Sequence, residues 1–131
     1  MREYAEILHE AAGGAAGAAP RIAPAGAAFG IVHAAGGGAA VHFDRLYAKD
    51  ESHPSFEGSY LIACVFFAVL TGRSPVGLAA PTADTVGGAA VLACAMAWEH
   101  WVRAPGALSA AEAAYLQRVA HDAVLGAAPK L

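Results

Sequence analysis

The sequence predicts a helix-rich α/β domain with one or two parallel strands. Three observations carry this expectation. Apolar residues recur at the spacing of an amphipathic helix, first at Tyr4, Ile7, Leu8, Ala11 and Ala12. Start and stop signals bracket two later segments, Ser55 to Gly72 and Ser109 to Gly126. Strand-like segments are short and few, and 131 residues suit a single domain, 1–131.

Taken in order, the first helical stripe runs from Tyr4 to Ala12 and stops at Gly13-Gly14. Residues 13–19 are Ala/Gly-rich and are expected to form a flexible loop, because such backbone loses much entropy on ordering and offers few side chains in return. Arg21–Pro24 has poor strand propensity, but its place between two helical patterns suits one parallel strand. Ala27–Val32 begins a second helix, weakened by Gly30. A second Ala/Gly-rich loop, also expected to be flexible, covers 34–40. Val41-His42-Phe43 and Leu46-Tyr47 then lead into a polar turn around Asp50.

Ser55 is an N-cap, since its oxygen can accept an unpaired amide of the following turn. The helix behind it spans about 56–70, with Gly72 as its left-handed stop. From Tyr60 onward it is apolar all round, so it is expected to pack on more than one side. Pro75, Pro81, Gly87 and Gly88 mark a loop. Ala89–Val102, carrying Trp98 and Trp101, forms another helix that ends at Pro105-Gly106. Ser109 and Glu112 have capping-box spacing, and Leu116, Val119, Ala120 and Ala123 make the apolar face behind them.

Composition narrows the function classes. Hydrophobic residues make up 57% of the chain, enough for a core, although much of this is alanine, which buries little area. The net charge is −3 and the eight Lys and Arg residues are scattered singly, which argues against a nucleic-acid partner. The start Met1-Arg2-Glu3-Tyr4-Ala5-Glu6 carries acids where a secretory signal has a basic, then apolar, run. The apolar runs Tyr60–Leu70 and Val86–Trp98 are shorter than the ~20 residues that cross a bilayer, so no membrane segment is expected. The compartment is not legible. Cys64 and Cys94 lie in apolar segments without a ligand pattern and read as buried thiols. Gly36-Gly37-Gly38 lacks the Lys-Ser/Thr of a phosphate loop, and no cofactor is expected. His42, Asp44 and His53 are the one set that could ligate a metal, but without paired short spacings no metal site is expected. His9, His100 and His121 fall on helical segments and read as ordinary surface or half-buried residues.

The residues with chemistry to offer are Asp50 and His53, in Asp50-Glu51-Ser52-His53-Pro54-Ser55. An imidazole becomes a general base when a carboxylate holds its Nδ1–H and leaves Nε2 to take a proton. Three residues of separation let the pair meet within one turn. The run Asp-x-x-His-Pro-Ser-x-x-Gly-x-Tyr-Leu, from Asp50 to Leu61, resembles the last signature block of the SGNH (GDSL-type) hydrolases. The likeness continues through Ala63–Ala68 and Leu70–Gly77 and the helix Ala111–Ala120, with Pro24–Phe29 similar to the strand-to-helix turn before the block.

This resemblance implies a partial three-layer α/β/α fold, His53 as catalytic base and Asp50 as its orienting acid. It also implies serine-dependent hydrolysis of a small ester. It covers only the C-terminal part of the family's domain. The Gly-Asp-Ser block with the nucleophile and the oxyanion-hole asparagine have no counterpart; the serines are Ser52, Ser55, Ser59, Ser74 and Ser109, and there is no asparagine. None of these serines lies on a recognisable strand-to-helix elbow. The chain is therefore expected to be catalytically incomplete by itself, as a truncated or degenerate copy. The alternatives are half of a split hydrolase, or a non-catalytic helical module that self-associates through an exposed apolar face of helix 56–70.

Overall fold

The computed structural model describes residues 21–80 and 108–126. The expected helix at 4–12, the loop at 13–19, the segment Ala89–Val102 with both tryptophans, and Cys94 lie outside these residues. What is described is helical. Helix α1 spans Ala25–Ala35, α2 spans Phe56–Thr71 and α3 spans Ala110–Val124, with short 3-10 turns at Gly36–Gly38 and Phe43–Leu46.

Among the described residues there is no strand, only an isolated antiparallel bridge between Tyr47 and Pro54. The strand expected at Arg21–Pro24 is absent. Pro24 is instead the N-cap of α1, its carbonyl accepting from the Ala28 amide at 3.1 Å. Proline has no amide to give a ladder, and its restricted φ suits a helix entrance. Arg21 reaches the end of α2, where its Nη1 donates to the Val69 carbonyl at 2.6 Å. The stretch 34–40 also departs from the loop suggested by its composition. Ala34 and Ala35 complete α1, Gly36 turns the chain with φ +54°, and Ala39 is buried.

Helix α2 forms where its local signals place it. Ser55 Oγ accepts from the Gly58 amide at 3.1 Å, and Glu57 puts a negative charge in the first turn, where the helix dipole favours it. Gly72, at φ +67°, ends the helix in the left-handed region, with its amide on the Ala68 carbonyl. At the start of α3, Ser109 and Glu112 form the full capping box. The Ser109 amide donates to Glu112 Oε2 at 2.9 Å, and the Glu112 amide donates to Ser109 Oγ at 3.2 Å.

Helix α2 lies against both α1 and α3, and α1 also touches α3. Ala28 and Val32 of α1, Leu61, Cys64 and Val65 of α2, and Leu116, Val119 and Ala120 of α3 meet in one core with Val41 and Leu46. Leu46, Leu61 and Leu116 are completely buried. Each removes enough apolar surface from water to contribute roughly 1.5–3 kcal/mol. Helix α2 does not bury its whole circumference. Phe66 and Leu70 remain 49% and 72% exposed, so its apolar sequence is covered on two sides and bare on a third.

Candidate functional site

The Asp50–His53 loop is a small hairpin whose ends meet at Leu46 and Ser55. The Ser55 amide donates to the Leu46 carbonyl at 2.9 Å, and one step out the Ala48 amide donates to the His53 carbonyl at 2.7 Å. Tyr47 and Pro54 face each other between these rungs. The turn closes with the Glu51 amide on the Ala48 carbonyl at 3.0 Å. Glu51 itself sits at φ +56°, a left-handed conformation that costs a non-glycine residue about 1 kcal/mol. The hydrogen bonds around it hold it there.

Asp50 uses both carboxylate oxygens inside this turn. Oδ1 accepts from the backbone amides of Ser52 at 3.2 Å and His53 at 3.0 Å. Oδ2 pairs with His53 Nδ1. The carboxylate therefore grips the histidine by its main chain and by its ring, which fixes the ring's direction. The hydrogen bond from the His53 ring, followed by the His53 amide, pulls the Asp50 carboxyl down to about 2. The Asp50 side chain is 17% exposed while the His53 side chain is 65% exposed, so the acid is sheltered and the ring faces solvent. An imidazole that gives Nδ1–H to a carboxylate carries its basic lone pair on Nε2. The arrangement suits proton abstraction by His53, stabilised by Asp50.

Ser52 and Pro54, the neighbours of His53, form one wall of an open groove of about 600 Å³. Phe29 and His33 of α1, Phe43 of the 3-10 turn and Tyr47 just after it form its aromatic lining. These rings meet edge to face: Phe29 with Tyr47 at 5.5 Å, His33 with Phe43 at 4.8 Å, and Phe43 with Tyr47 at 5.4 Å between centroids.

The five serines lie in the helix caps, the hairpin turn, the surface of α2 and the loop after it. Ser55 is 1% exposed; its Oγ donates to the Arg45 carbonyl and accepts from the Gly58 amide, so it is committed to the cap. Ser109 is committed to the capping box. Ser74 Oγ lies 3.0 Å from His121 Nδ1, between the loop after α2 and the last turn of α3. Ser59 lies on the exposed surface of α2. Ser52 shares the turn with His53, with its amide on Asp50. His42 and Asp44 lie at the 3-10 turn Phe43–Leu46, and no group of three or more His, Cys, Asp or Glu that could hold a metal ion occurs among the described residues. No helix of the described residues is long and apolar enough to cross a membrane.

Two side chains that the sequence did not single out organise this region. Arg45 bridges the two helix starts. Its Nη2 donates to Glu57 Oε1 at 2.7 Å and its Nη1 donates to Glu112 Oε1 at 2.5 Å. Gln117, 3% exposed, ties α3 to α2 and to the loop beyond it. Its Nε2 donates to Tyr60 Oη at 2.7 Å and to the Leu78 carbonyl at 2.9 Å, and its Oε1 accepts from the Gly77 amide at 3.0 Å. The one cue to Gln117 was its position beside Leu116 on the inward side of α3. Nothing local marks Arg45.

Comparison with known proteins gives no match: no family model fits the chain, and neither a curated protein nor a solved structure is significantly similar to it.

Proposed function

We propose that this chain carries the acid–base half of an SGNH-type serine esterase, with His53 as general base and Asp50 as its orienting acid. The observation that supports this reading is the double grip of Asp50 on His53, which holds the ring by Nδ1 and by the backbone amide. The reaction is hydrolysis of a small ester. His53 takes the proton of a serine hydroxyl as its oxygen attacks the acyl carbon and returns it to the departing alkoxide, leaving an acyl-serine. Water then attacks that ester, passes its proton to His53, and His53 returns it to the serine oxygen as the acid leaves. The α/β/α architecture belongs to the same proposal. The chain has no Gly-Asp-Ser block and no asparagine, and Ser55 and Ser109 are held in helix caps, so in this reading the attacking alcohol comes from another polypeptide segment and the chain is inert alone.

The test is the titration of the Asp50 carboxyl, followed by carbon-detected NMR. Its midpoint is expected near 2 and should return toward the ordinary value of 3.8 in His53→Ala. An ordinary midpoint in the parent, unmoved by His53→Ala, overturns the catalytic pair. In parallel, p-nitrophenyl acetate should show no turnover above buffer, and a fluorophosphonate probe should label no serine. Labelling of one serine with turnover lost in His53→Ala would show a complete enzyme.

The bare side of α2 favours a second reading, a non-catalytic module that associates with itself through Phe66 and Leu70. Sedimentation of the parent and of the Phe66→Ser, Leu70→Ser double variant separates the two. Concentration-dependent dimers lost in the variant, with an ordinary Asp50 titration, favour association as the role.

A further inference from the structure

The hairpin that carries the catalytic pair runs into α2 at its Ser55 end, and at its other end Arg45 ties it to both α2 and α3. Its carbonyl accepts the Ser55 hydroxyl across the mouth of the hairpin, beside the Leu46–Ser55 rung. Its guanidinium binds Glu57 in the first turn of α2, through Nε at 3.2 Å and Nη2 at 2.7 Å, both to Oε1. The remaining arm reaches Glu112, 67 residues away, in the first turn of α3. Glu112 is itself held, because its Oε2 accepts from the Ser109 amide and hydroxyl. One side chain thus fixes the entry strut of the hairpin, the cap of α2 and the start of α3 relative to one another. Side-chain exposures of 32% for Arg45, 13% for Glu57 and 19% for Glu112 put the network in a partly dehydrated site, where charge-assisted bonds hold geometry better than at an open surface.

The opposite strut ends in Ser55, the buried N-cap of α2. Ser55 N, Ser55 Oγ and Gly58 N all converge on Leu46, Arg45 and the cap itself. Gly58 shows how tight this junction is: a Cβ there would run into the Leu46 carbonyl oxygen and stand 3.2 Å from Pro54 Cβ. Movement of Arg45 is therefore transmitted to Leu46, Ser55 and Pro54, and so to both ends of the segment that holds Asp50 and His53.

We propose that Arg45 is a positioning residue for the Asp50–His53 pair, setting the pair's geometry by clamping the mouth of its hairpin to the first turns of α2 and α3. This inference rests on the reading of Asp50 and His53 as a catalytic pair. Arg45 is not among the groups that act directly on the Asp50 carboxyl, which responds to His53 and to the amides of His53 and Ser52. Its influence runs through the backbone.

The experiment compares Arg45→Lys and Arg45→Met in the full chain, reading the Asp50 carboxyl titration together with the thermal midpoint. Lysine keeps the charge but cannot fork between two carboxylates. Both variants are expected to raise the Asp50 midpoint by about half a unit or more, while the amide spectrum of α2 and α3 stays native-like. Exchange of the Ala48 and Ser55 amides should quicken in both. A lower thermal midpoint with an unchanged Asp50 titration shows a merely structural salt bridge and overturns the proposal. A shift in Arg45→Met but none in Arg45→Lys also overturns it, because long-range charge then suffices. If Arg45→Met does not fold, Glu112→Gln, which keeps the partner of the Ser109 amide, must raise the midpoint in the same direction. His53→Ala keeps the two failures apart: a shift there without one in the Arg45 variants sinks only the positioning role.

Discussion

Asp50 illustrates how much one carboxylate can organise when both of its oxygens are used. Its depressed ionisation follows from the His53 ring and two backbone amides, all of which favour the charged form. Because the folded value lies below the unfolded value of 3.8, this grip is complete above that pH and is lost as pH falls toward 2. The loop should therefore loosen in acid before the helices do, which proton exchange at the Ser52 and His53 amides would reveal. Gly58 is the second residue with a sharp requirement. Its Cα hydrogen faces the Leu46 carbonyl, and a methyl group has no room there. Gly58→Ala should lower stability by about 2 kcal/mol or more, measured by urea unfolding, despite alanine's better helix propensity. A neutral or stabilising result would show that the hairpin mouth is looser than described.

At the scale of elements, the two helix starts are electrostatically joined. Glu112 is held down to about 2, first by its hydrogen bond to Arg45 and then by the Ser109 amide. Its folded value is below the ordinary 4.5, so the stabilisation is present above about 4.5 and disappears as pH falls through about 2. Solvent screening limits the effect to roughly 1 kcal/mol. Comparison of the parent with Glu112→Gln by thermal melts should show a gap at pH 6 that closes near pH 2. Arg45 responds in the opposite sense: Glu112 and Glu57 raise its already high value, so it stays charged throughout. Within α2, Leu61 is fully buried between α1 and α3. Leu61→Ala should cost about 2–5 kcal/mol in urea unfolding, the usual penalty for a core cavity.

Across the described residues, three α-helices enclose one core, and a buried polar residue sets how the segment after α2 lies on α3. Gln117 satisfies Tyr60, Gly77 and Leu78 at once. Gln117→Leu would remove the partner shared by the half-buried Tyr60 hydroxyl, the Gly77 amide and the Leu78 carbonyl, the last two on exposed residues. Such groups cost about 1–3 kcal/mol each when dehydrated, less wherever water can enter. The expected result is a lower thermal midpoint with faster proteolysis near Gly77, while α2 and α3 keep their helical signal. Burial also raises the Tyr60 hydroxyl and the Cys64 thiol above their ordinary values, so neither is charged at neutral pH and both serve the interior as neutral groups.

The parts of this protein that its sequence determined alone are those closed by neighbours along the chain. Ser55 and Gly58, Ser109 and Glu112, and Asp50 and His53 are each three residues apart. A cap or an acid–histidine pair of that span needs no distant partner, so the residue types and their spacing suffice. Gly72 ends α2 for the same local reason. Arg21–Pro24 sits between two helical patterns as a strand would, but a strand exists only through its neighbour, and four residues carry no sign of whether one is present. The tertiary structure alone decided that Arg45 meets Glu112 across 67 positions and that Gln117 meets Tyr60 across 57. It also decided which side of the apolar stretch of α2 stays bare. Contacts of that range arise when helices pack, and packing selects among many sterically allowed pairings that no local pattern distinguishes.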